Sequence, residues 1–228
     1  MPLSPADGPD LRHVDTWLFD LDNTLYPLES GLAARMSARI TDYVEQLTGL
    51  PREGAHALQK RYLAEHGLTL RGLMDNHCVD PDHYHAAVHD VPLDCLAADP
   101  DLAAGLRRLP GRRLIFTNAD LAHADRVVAA LGLQGLFDDV FHIGSAQFAP
   151  KPSPEAFERI LAAHAITPAT TAFFEDAAHN LAPAAALGMS TVLVGANAAD
   201  NAAPFIDFRT PSLAPFLLAA RVKETARP

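Results

Sequence analysis

Short apolar runs of strand length recur along this chain, and helical patterns separate them. The runs cover residues 15–21, 113–118, 139–143, 171–176 and 191–195, of which 139–143 is the weakest. Helical periodicity covers residues 121–131, 153–164 and 180–187. Because strands that alternate with helices pair in parallel and are covered on both faces, the sequence predicts an α/β fold built on a doubly wound parallel sheet.

The stretch from residue 26 to residue 112 interrupts this alternation. It contains no convincing strand, and its helix-like periodicity covers residues 32–47, 54–66 and 83–88. Prolines divide it into segments, since proline removes a backbone donor and is excluded from helix interiors. We therefore expect an inserted helical domain at residues 26–112 and an α/β core formed by residues 14–25 and 113–220.

Composition and charge narrow the classes of protein and of partner. Hydrophobic residues make up 49% and charged residues 20% of the 228 positions, which is typical of a globular chain. The net charge of −10 offers no basic surface to a nucleic-acid polymer. Cys78 and Cys95 form no C-x-x-C pair, and no run approaches the ~18 apolar residues of a membrane span. We expect a cytoplasmic protein without membrane contact, whose partner is a small molecule and whose oligomeric state stays open.

Two carboxylates follow the first predicted strand. Asp20 and Asp22 belong to the segment D-L-D-N-T at the carboxyl end of that strand, and ligands of open α/β sheets bind at this edge. As the chain turns out of the strand, both side chains can face one cavity, where one carboxylate attacks a substrate and the other moves protons. The alternative is an ordinary turn, because Asp and Asn readily hydrogen-bond their own backbone.

Polar residues also follow other predicted strands. Thr117 and Asn118 end the second run, and their hydroxyl and amide suit phosphate oxygens. Lys151 precedes a predicted helix, and its charge would neutralise a phosphoryl group or a carboxylate nucleophile. Glu175 and Asp176 close the run T-A-F-F-E-D and offer hard oxygen ligands to Mg²⁺. The alternatives are a strand-end turn, a solvated loop lysine and an acid pair at a helix N-terminus.

The order of these motifs resembles the haloacid dehalogenase superfamily of phosphohydrolases. F-D-L-D-N-T is similar to the first motif of that superfamily, F-T-N to the second, K-P to the third and F-F-E-D-A-A-H-N to the fourth. The resemblance extends from about residue 14 to residue 194 and implies the Rossmann-like core of the superfamily. Ala119 departs from it, because many members place a small polar residue after the asparagine. That departure concerns only an auxiliary phosphate contact.

This resemblance implies a phosphatase that forms an aspartyl-phosphate. Asp20 is then the nucleophile, Asp22 the general acid and base, and Lys151 the residue that neutralises charge. Thr117 donates a hydrogen bond to the phosphate, and Asn118 belongs to the same substrate-binding motif. The implied partner is a small phosphorylated metabolite.

The same resemblance implies Mg²⁺ as cofactor. Its ligands are the carboxylates of Asp20 and Asp176 and the backbone carbonyl of Asp22, with Glu175 acting through a water. The matched motifs contribute no Cys or His ligand to this set, which agrees with the preference of Mg²⁺ for oxygen.

The predicted insertion lies between the first two motifs and resembles the helical cap of the superfamily's first cap class. Tyr26, Tyr62, Tyr84 and the segment 67–73 look like the pyrimidine 5′-nucleotidase group. The expected substrates are nucleoside 5′-monophosphates. Sugar phosphates, other small phosphate esters, a phosphomutase reaction and a non-catalytic module remain alternatives. A dehalogenase is disfavoured, because carbon-halogen cleavage leaves no alkoxide for Asp22 to protonate.

Two features of the insertion lie outside the four motifs. Arg71 lies in a glycine-flanked segment, and its guanidinium either binds a nucleobase, ribose or phosphate oxygen or pairs with Asp75, four residues on. Residues with metal-binding side chains also cluster nearby, namely His77, Cys78, Asp82, His83, His85 and His89. We favour a solvated or substrate-lining helix over a metal site, because no second ligand pair has a recognisable spacing.

Overall fold

The computed structural model describes residues 8–223, which form two compact units. The core unit contains residues 8–28 and 97–223, and the helical unit contains Glu29–Leu96. Residues 97–112, expected in the insertion, lie in the core unit and include a helix that packs there.

A six-stranded sheet forms the centre of the core unit. Its strands are β1 (Thr16–Phe19), β2 (Arg112–Phe116), β3 (Asp139–Phe141), β4 (Thr171–Glu175), β5 (Ser190–Val194) and β6 (Phe208–Thr210). The order across the sheet is β3-β2-β1-β4-β5-β6, and every neighbouring pair is parallel. The predicted α/β class with a parallel sheet is confirmed. The order reverses between β1 and β4, and open α/β sheets bind their ligands at the carboxyl edge beside such a switch point.

Helices occupy most of the connections between strands and most of the helical unit. Within residues 8–223 they are α1 (Leu32–Thr48), α2 (Arg52–His66), α3 (Thr69–His77), α4 (Pro81–Val88), α5 (Pro100–Arg107), α6 (Leu121–Ala130), α7 (Pro154–His164), α8 (Ala178–Ala186) and α9 (Leu213–Ala219). In the helical unit, α1 packs against α2 and α4, and α2 packs against α3. A buried hydrogen bond from Thr41 to Gln59 joins α1 to α2 at 2.6 Å.

Aromatic side chains cover both faces of the sheet. Phe173 and Phe174 are adjacent in β4 and therefore point to opposite faces. Phe157 of α7 packs against Phe173 on one face, and Phe216 of α9 packs against Phe174 on the other. Because both faces of this strand are buried, its sequence is a continuous apolar run instead of an alternating one.

Capping residues determine where several helices begin. Ser153 is the N-cap of α7, since its side chain accepts a hydrogen bond from the N–H of Ala156 and Pro154 takes the first helical position. This start is the one that the sequence predicts. Asp99 caps α5 in the same way by accepting a hydrogen bond from the N–H of Leu102.

Three elements were not predicted, and each has a physical reason. The helix α3 follows directly on the glycine that ends α2, so the segment resembles a loop in sequence. The helix α5 begins at Pro100. Proline breaks a helix when it lies in the interior, but it is favourable at the first helical position. The strand β6 has three residues, too few to show a period. None of the helices within residues 8–223 is long and apolar enough to cross a membrane.

Candidate active site

The carboxyl ends of β1 and β4 bring three acidic residues together. Asp20 follows β1, Glu175 is the last residue of β4, and Asp176 comes next. The N–H of Asp20 donates to the carbonyl of Phe174 at 2.9 Å, so the pairing of the two strands continues one residue beyond β1. Carboxylate oxygens of the three acids lie within 4.8 Å of one another. We call Asp20, Glu175 and Asp176 the acid cluster.

Lys151 places its ammonium group inside the acid cluster. Its Nζ donates to Asp20 Oδ1 at 2.6 Å, to Glu175 Oε2 at 2.7 Å and to the carbonyl of Phe116 at 2.8 Å. The side chain is 1% exposed. An ammonium group has three N–H donors, and these contacts use all of them. The solvated loop lysine that the sequence left open is therefore wrong.

Burial and charge perturb every ionisable group of this cluster. Burial raises the pKa of Asp20 to about 7, and the neighbouring charge of Glu175 adds to that effect, while Lys151 opposes it. Burial likewise raises the pKa values of Glu175 and Asp176. Burial opposes the charge of Lys151, but Asp20 and Glu175 together raise the pKa of its ammonium. Three acids thus share one cation in a poorly solvated space.

This imbalance suits an additional cation. The acid cluster supplies only carboxylate oxygens, which are the protein ligands that Mg²⁺ prefers over nitrogen or sulfur. A divalent ion would also offset the repulsion that raises the pKa values of these acids. The donor set therefore fits the magnesium ion that the sequence suggests.

A single helical turn follows β1 and carries the second carboxylate of D-L-D-N-T. Leu25 N–H donates to the carbonyl of Leu21 at 3.0 Å, and Asn23 adopts a left-handed conformation with φ of 65°. Asn is among the few residue types that tolerate this region. The turn places Asp22 in surroundings that differ from those of Asp20. The side chain of Asp22 is 22% exposed, whereas Asp20 is buried. The turn that the sequence offered as the alternative is present, and the charge of Asp22 contributes to the raised pKa of Asp20.

Two side chains contact the same oxygen of Asp22. Tyr26 donates its hydroxyl to Asp22 Oδ1 at 2.5 Å, and His123 Nε2 lies 2.9 Å from that oxygen. His123 sits in the first turn of α6, where its N–H donates to the N-cap side chain of Asp120 at 2.7 Å. The side chain of His123 is wholly buried.

The residues after β2 make local contacts at the same edge of the sheet. Thr117 is buried, and its hydroxyl accepts a hydrogen bond from the N–H of Ala119 at 3.0 Å. A hydroxyl that accepts one bond retains its own proton for donation to a ligand. Asn118 directs its amide to the backbone of Lys151, accepting from its N–H at 2.8 Å and donating to its carbonyl at 3.2 Å.

The insertion residues singled out in the sequence have partners within the helical unit. Arg71 Nε donates to Asp75 Oδ2 at 3.1 Å on the surface of α3, which is the pairing that the sequence offered as one of two interpretations.

The cap histidines have different neighbours. Nε2 of His77 lies 3.0 Å from the hydroxyl of Tyr62, and Nδ1 of His83 lies 2.9 Å from that of Tyr43. The rings of His85 and His89 stack 5.4 Å apart, centroid to centroid. The four histidines of the sequence cluster therefore divide among three separate contacts.

Sequence reasoning missed the partners of Asp22. Tyr26 is part of the resemblance to the nucleotidase group, and its position four residues after Asp22, at the end of the same turn, is the signal that could have found this contact. His123 gave no sequence signal, because its approach to Asp22 depends on the way β1 and β2 pair and on the start of α6.

Comparison with known proteins identifies the family of this chain. The model of the haloacid dehalogenase-like hydrolases matches residues 14–188, more than half of the chain. The chain belongs to this family. That membership agrees with the resemblance of the four motifs, and the matched range contains every residue of the acid cluster and both of its strands.

One curated relative of this hydrolase aligns with most of the chain. Phosphate metabolism protein 8 of Saccharomyces cerevisiae is 29% identical over 208 residues, which cover 82% of this chain and 65% of that protein. The chain thus spans less than two thirds of the length of this relative.

Two solved structures share the fold. A HAD phosphatase from Thermococcus onnurineus superposes with a TM-score of 0.60 at 18% identity, covering 87% of this chain and 94% of that one. An L-2-haloacid dehalogenase from Xanthobacter autotrophicus superposes with a TM-score of 0.56 at 20% identity, covering 90% and 97%. Since the fold hosts both chemistries, the residues of the site have to distinguish them.

Proposed function

We propose that this hydrolase is a Mg²⁺-dependent phosphomonoesterase that acts through an aspartyl-phosphate on a small phosphorylated metabolite. One observation carries the proposal: two carboxylates two residues apart have different surroundings. Asp20 is buried against Lys151 in the acid cluster, whereas Asp22 is partly exposed and contacts Tyr26 and His123. Paired carboxylates in different environments are suited to separate roles as nucleophile and proton carrier.

The dehalogenase alternative has less support from the same residues. Cleavage of a carbon-halogen bond releases a halide, which needs no proton, so it gives Asp22 no task as an acid. Phosphate-ester cleavage releases an alkoxide and does need one. The hydrogen bonds that hold Asp22 at the carboxyl edge therefore favour phosphoryl transfer.

The proposed reaction has two steps with balanced proton transfers. Asp20 attacks phosphorus, a bond forms between its carboxylate oxygen and phosphorus, and the bond to the leaving oxygen breaks as Asp22 donates a proton to it. Asp22 then accepts a proton from water, whose oxygen bonds to phosphorus while the bond to Asp20 breaks. Positioned proton transfer of this kind contributes about 10²- to 10⁴-fold in rate. Lys151 reduces the repulsion between the anionic nucleophile and the anionic phosphate.

We propose Mg²⁺ as the cofactor, held by Asp20, Asp176 and the backbone carbonyl of Asp22. Glu175 acts through a water, since one of its oxygens accepts from Lys151 and the other from the N–H of Ala177. When bound, the ion supplies positive charge that stabilises the phosphoryl oxygens in the transition state. Thr117 donates its hydroxyl to the phosphate, and Asn118 holds the adjoining backbone.

For the substrate we propose nucleoside 5′-monophosphates, on the resemblance of Tyr26, Tyr62, Tyr84 and residues 67–73 to the pyrimidine 5′-nucleotidase group. Arg71 is the proposed contact for the leaving group. Its Nε is paired with Asp75, and its planar fork carries four further N–H donors on the two terminal nitrogens.

A phosphate-release screen tests this function. The purified protein would be incubated with Mg²⁺ and with nucleoside monophosphates, sugar phosphates or phosphoglycolate, and Asp20→Asn would serve as the matched control for contaminating phosphatases. We expect release by the wild type, with preference for UMP or CMP, and none by the variant.

The other outcomes separate the parts of the proposal. Equal activity on all substrates, or a preference for sugar phosphates, would contradict the nucleotidase assignment but would still support a phosphatase. Transfer of the phosphoryl group to a second sugar hydroxyl, without free phosphate, would indicate a mutase. Chloride release from an L-2-haloacid, or no turnover of any ester, would overturn the phosphatase.

A further inference from the structure

We infer that Tyr26 and His123 are positioning residues that fix the carboxylate of Asp22 for proton transfer. The inference rests on the proposed function and deepens it, because it assigns roles to two side chains outside the four sequence motifs. Neither residue belongs to the acid cluster.

The geometry that carries this inference is convergence on one atom. Asp22 Oδ1 accepts the hydroxyl of Tyr26 at 2.5 Å and lies 2.9 Å from His123 Nε2. The two partners come from different parts of the core unit, one from the turn after β1 and the other from α6. Two partners fix the position of Oδ1, and together with the backbone they restrict the side-chain torsions of Asp22.

Both partners are themselves held in place. Tyr26 is 3% exposed and His123 is 1% exposed, so neither side chain has room to change rotamer freely. The N-cap side chain of Asp120 accepts from the N–H of His123 and secures the first turn of α6. A preorganised partner of this kind keeps a reacting group near its productive geometry.

Kinetics with two leaving groups test the inference. Tyr26→Phe and His123→Leu would each be compared with the wild type on glycerol phosphate, a poor leaving group, and on p-nitrophenyl phosphate, a good one. Because the poor leaving group depends more on protonation, we expect kcat on glycerol phosphate to fall about 10- to 100-fold, with KM and the Mg²⁺ requirement unchanged. On p-nitrophenyl phosphate we expect a change of no more than about threefold.

Three controls distinguish positioning from loss of folding. Tyr43→Phe removes a phenol hydroxyl that contacts His83 in the helical unit, and it should leave both activities unchanged. His123→Gln retains an N–H donor near the position of Nε2 and should recover part of kcat. If His123→Leu does not fold, Tyr26→Phe and His123→Gln still provide the comparison, because each keeps most of the side-chain volume.

A double-mutant cycle gives the decisive result. If Tyr26 acts through Asp22, Tyr26→Phe should have no further effect on kcat in an Asp22→Asn background. A full additive loss in that background, or equal losses on the two substrates, would overturn the inference, as would wild-type kcat in both variants. Absence of phosphate release by the wild-type protein would instead overturn the proposed function, and the inference with it.

Discussion

The side-chain amide of Asn118 pairs with the backbone of Lys151 in both directions. Its Oδ1 accepts from the N–H of Lys151, and its Nδ2 donates to the carbonyl of the same residue. This pairing connects the end of β2 to the loop before α7, and that loop carries the ammonium group of the acid cluster. Asn118 therefore contributes to the site by fixing the position of the Lys151 backbone.

Loss of this amide should displace Lys151. We expect Asn118→Ala to lower kcat on p-nitrophenyl phosphate about 10- to 100-fold and to reduce the free energy of unfolding by about 1 to 3 kcal/mol, since two backbone groups lose their partners. Steady-state kinetics and urea denaturation measure the two effects. Asn76→Ala removes an amide that donates to the carbonyl of Gly72 in the helical unit, and it controls for amide loss as such. Unchanged kcat in Asn118→Ala would contradict the prediction.

Asp20→Asn should abolish turnover and phosphoenzyme formation while stabilising the metal-free protein at high pH. The pKa of Asp20 is raised to about 7 by burial and by Glu175, so ionisation of Asp20 costs folding energy as the pH rises from about 4 through 7. The amide resembles the neutral acid and escapes this cost. We expect an advantage on the order of 2 kcal/mol at pH 8 in EDTA, and none below pH 4.

Urea denaturation at the two pH values measures that difference. Asp15→Asn, at an exposed position just before β1, is the control for the removal of one carboxylate. Equal stabilities of wild type and Asp20→Asn at pH 8 would argue against charge repulsion in the acid cluster, and substantial residual activity would argue against Asp20 as the nucleophile.

Mg²⁺ should bind more tightly as the pH rises. Burial raises the pKa values of Asp20, Glu175 and Asp176, so the metal-free cluster retains protons that the ion has to displace. We expect affinity to increase between pH 6 and pH 8, with proton release visible by calorimetry in buffers of different ionisation enthalpy. EDTA should remove activity reversibly. Full activity after exhaustive chelation, or affinity that falls with pH, would count against this metal site.

Lys151→Met should inactivate and destabilise the protein. The substitution keeps a long side chain in the buried site but leaves Asp20 and Glu175 without their shared donor. Breaking a buried ion pair typically costs about 3 to 5 kcal/mol. The destabilisation should be smaller at pH 5, where the acids protonate more readily. Lys60→Met, at an exposed position of α2, is the control for loss of one lysine and should resemble the wild type.

Arg71→Ala tests the leaving-group contact. If Arg71 binds the nucleoside, kcat/KM for the best nucleotide should fall by a factor that corresponds to about 1.5 to 3 kcal/mol, with p-nitrophenyl phosphate hardly affected. Arg61→Ala is the matched control, because Arg61 also faces an acid four residues on, Glu65, on the surface of α2. Equal losses of kcat/KM on both substrates would indicate that Arg71 binds the phosphate or supports the structure. No loss on either substrate would indicate a surface residue without a role in binding.

The sequence predicted most of the core unit because its signals are local. The buried strand β1 is an uninterrupted apolar run, and the cap Ser153 with Pro154 marks the start of α7 without reference to the rest of the fold. Parallel strands share one carboxyl edge, so the convergence of Asp20 and Glu175 could also be expected from the sequence.

Contacts that depend on tertiary structure could not be predicted in the same way. The approach of His123 to Asp22 and the pairing of Asn118 with Lys151 join segments whose relative position is set by strand pairing and loop conformation. In the loop before Lys151, Gln147 and Phe148 adopt left-handed conformations with φ of 50° and 60°. Neither residue type favours that region, so surrounding contacts override the local preference.

The sheet order also bears on how the chain reaches its native state. The strand β1 precedes the other five in the chain and is central, and its neighbours β2 and β4 begin only at residues 112 and 171. During synthesis this apolar segment therefore lacks its first strand partner until residue 116 and its second until residue 175, a situation that favours aggregation or chaperone binding. Such distant pairings also slow folding, because the chain loses conformational entropy in closing the long loops before the strand contacts form. Recovery of phosphate release after dilution from denaturant would thus report completion of the whole sheet, since its acid cluster needs β1 and β4 side by side.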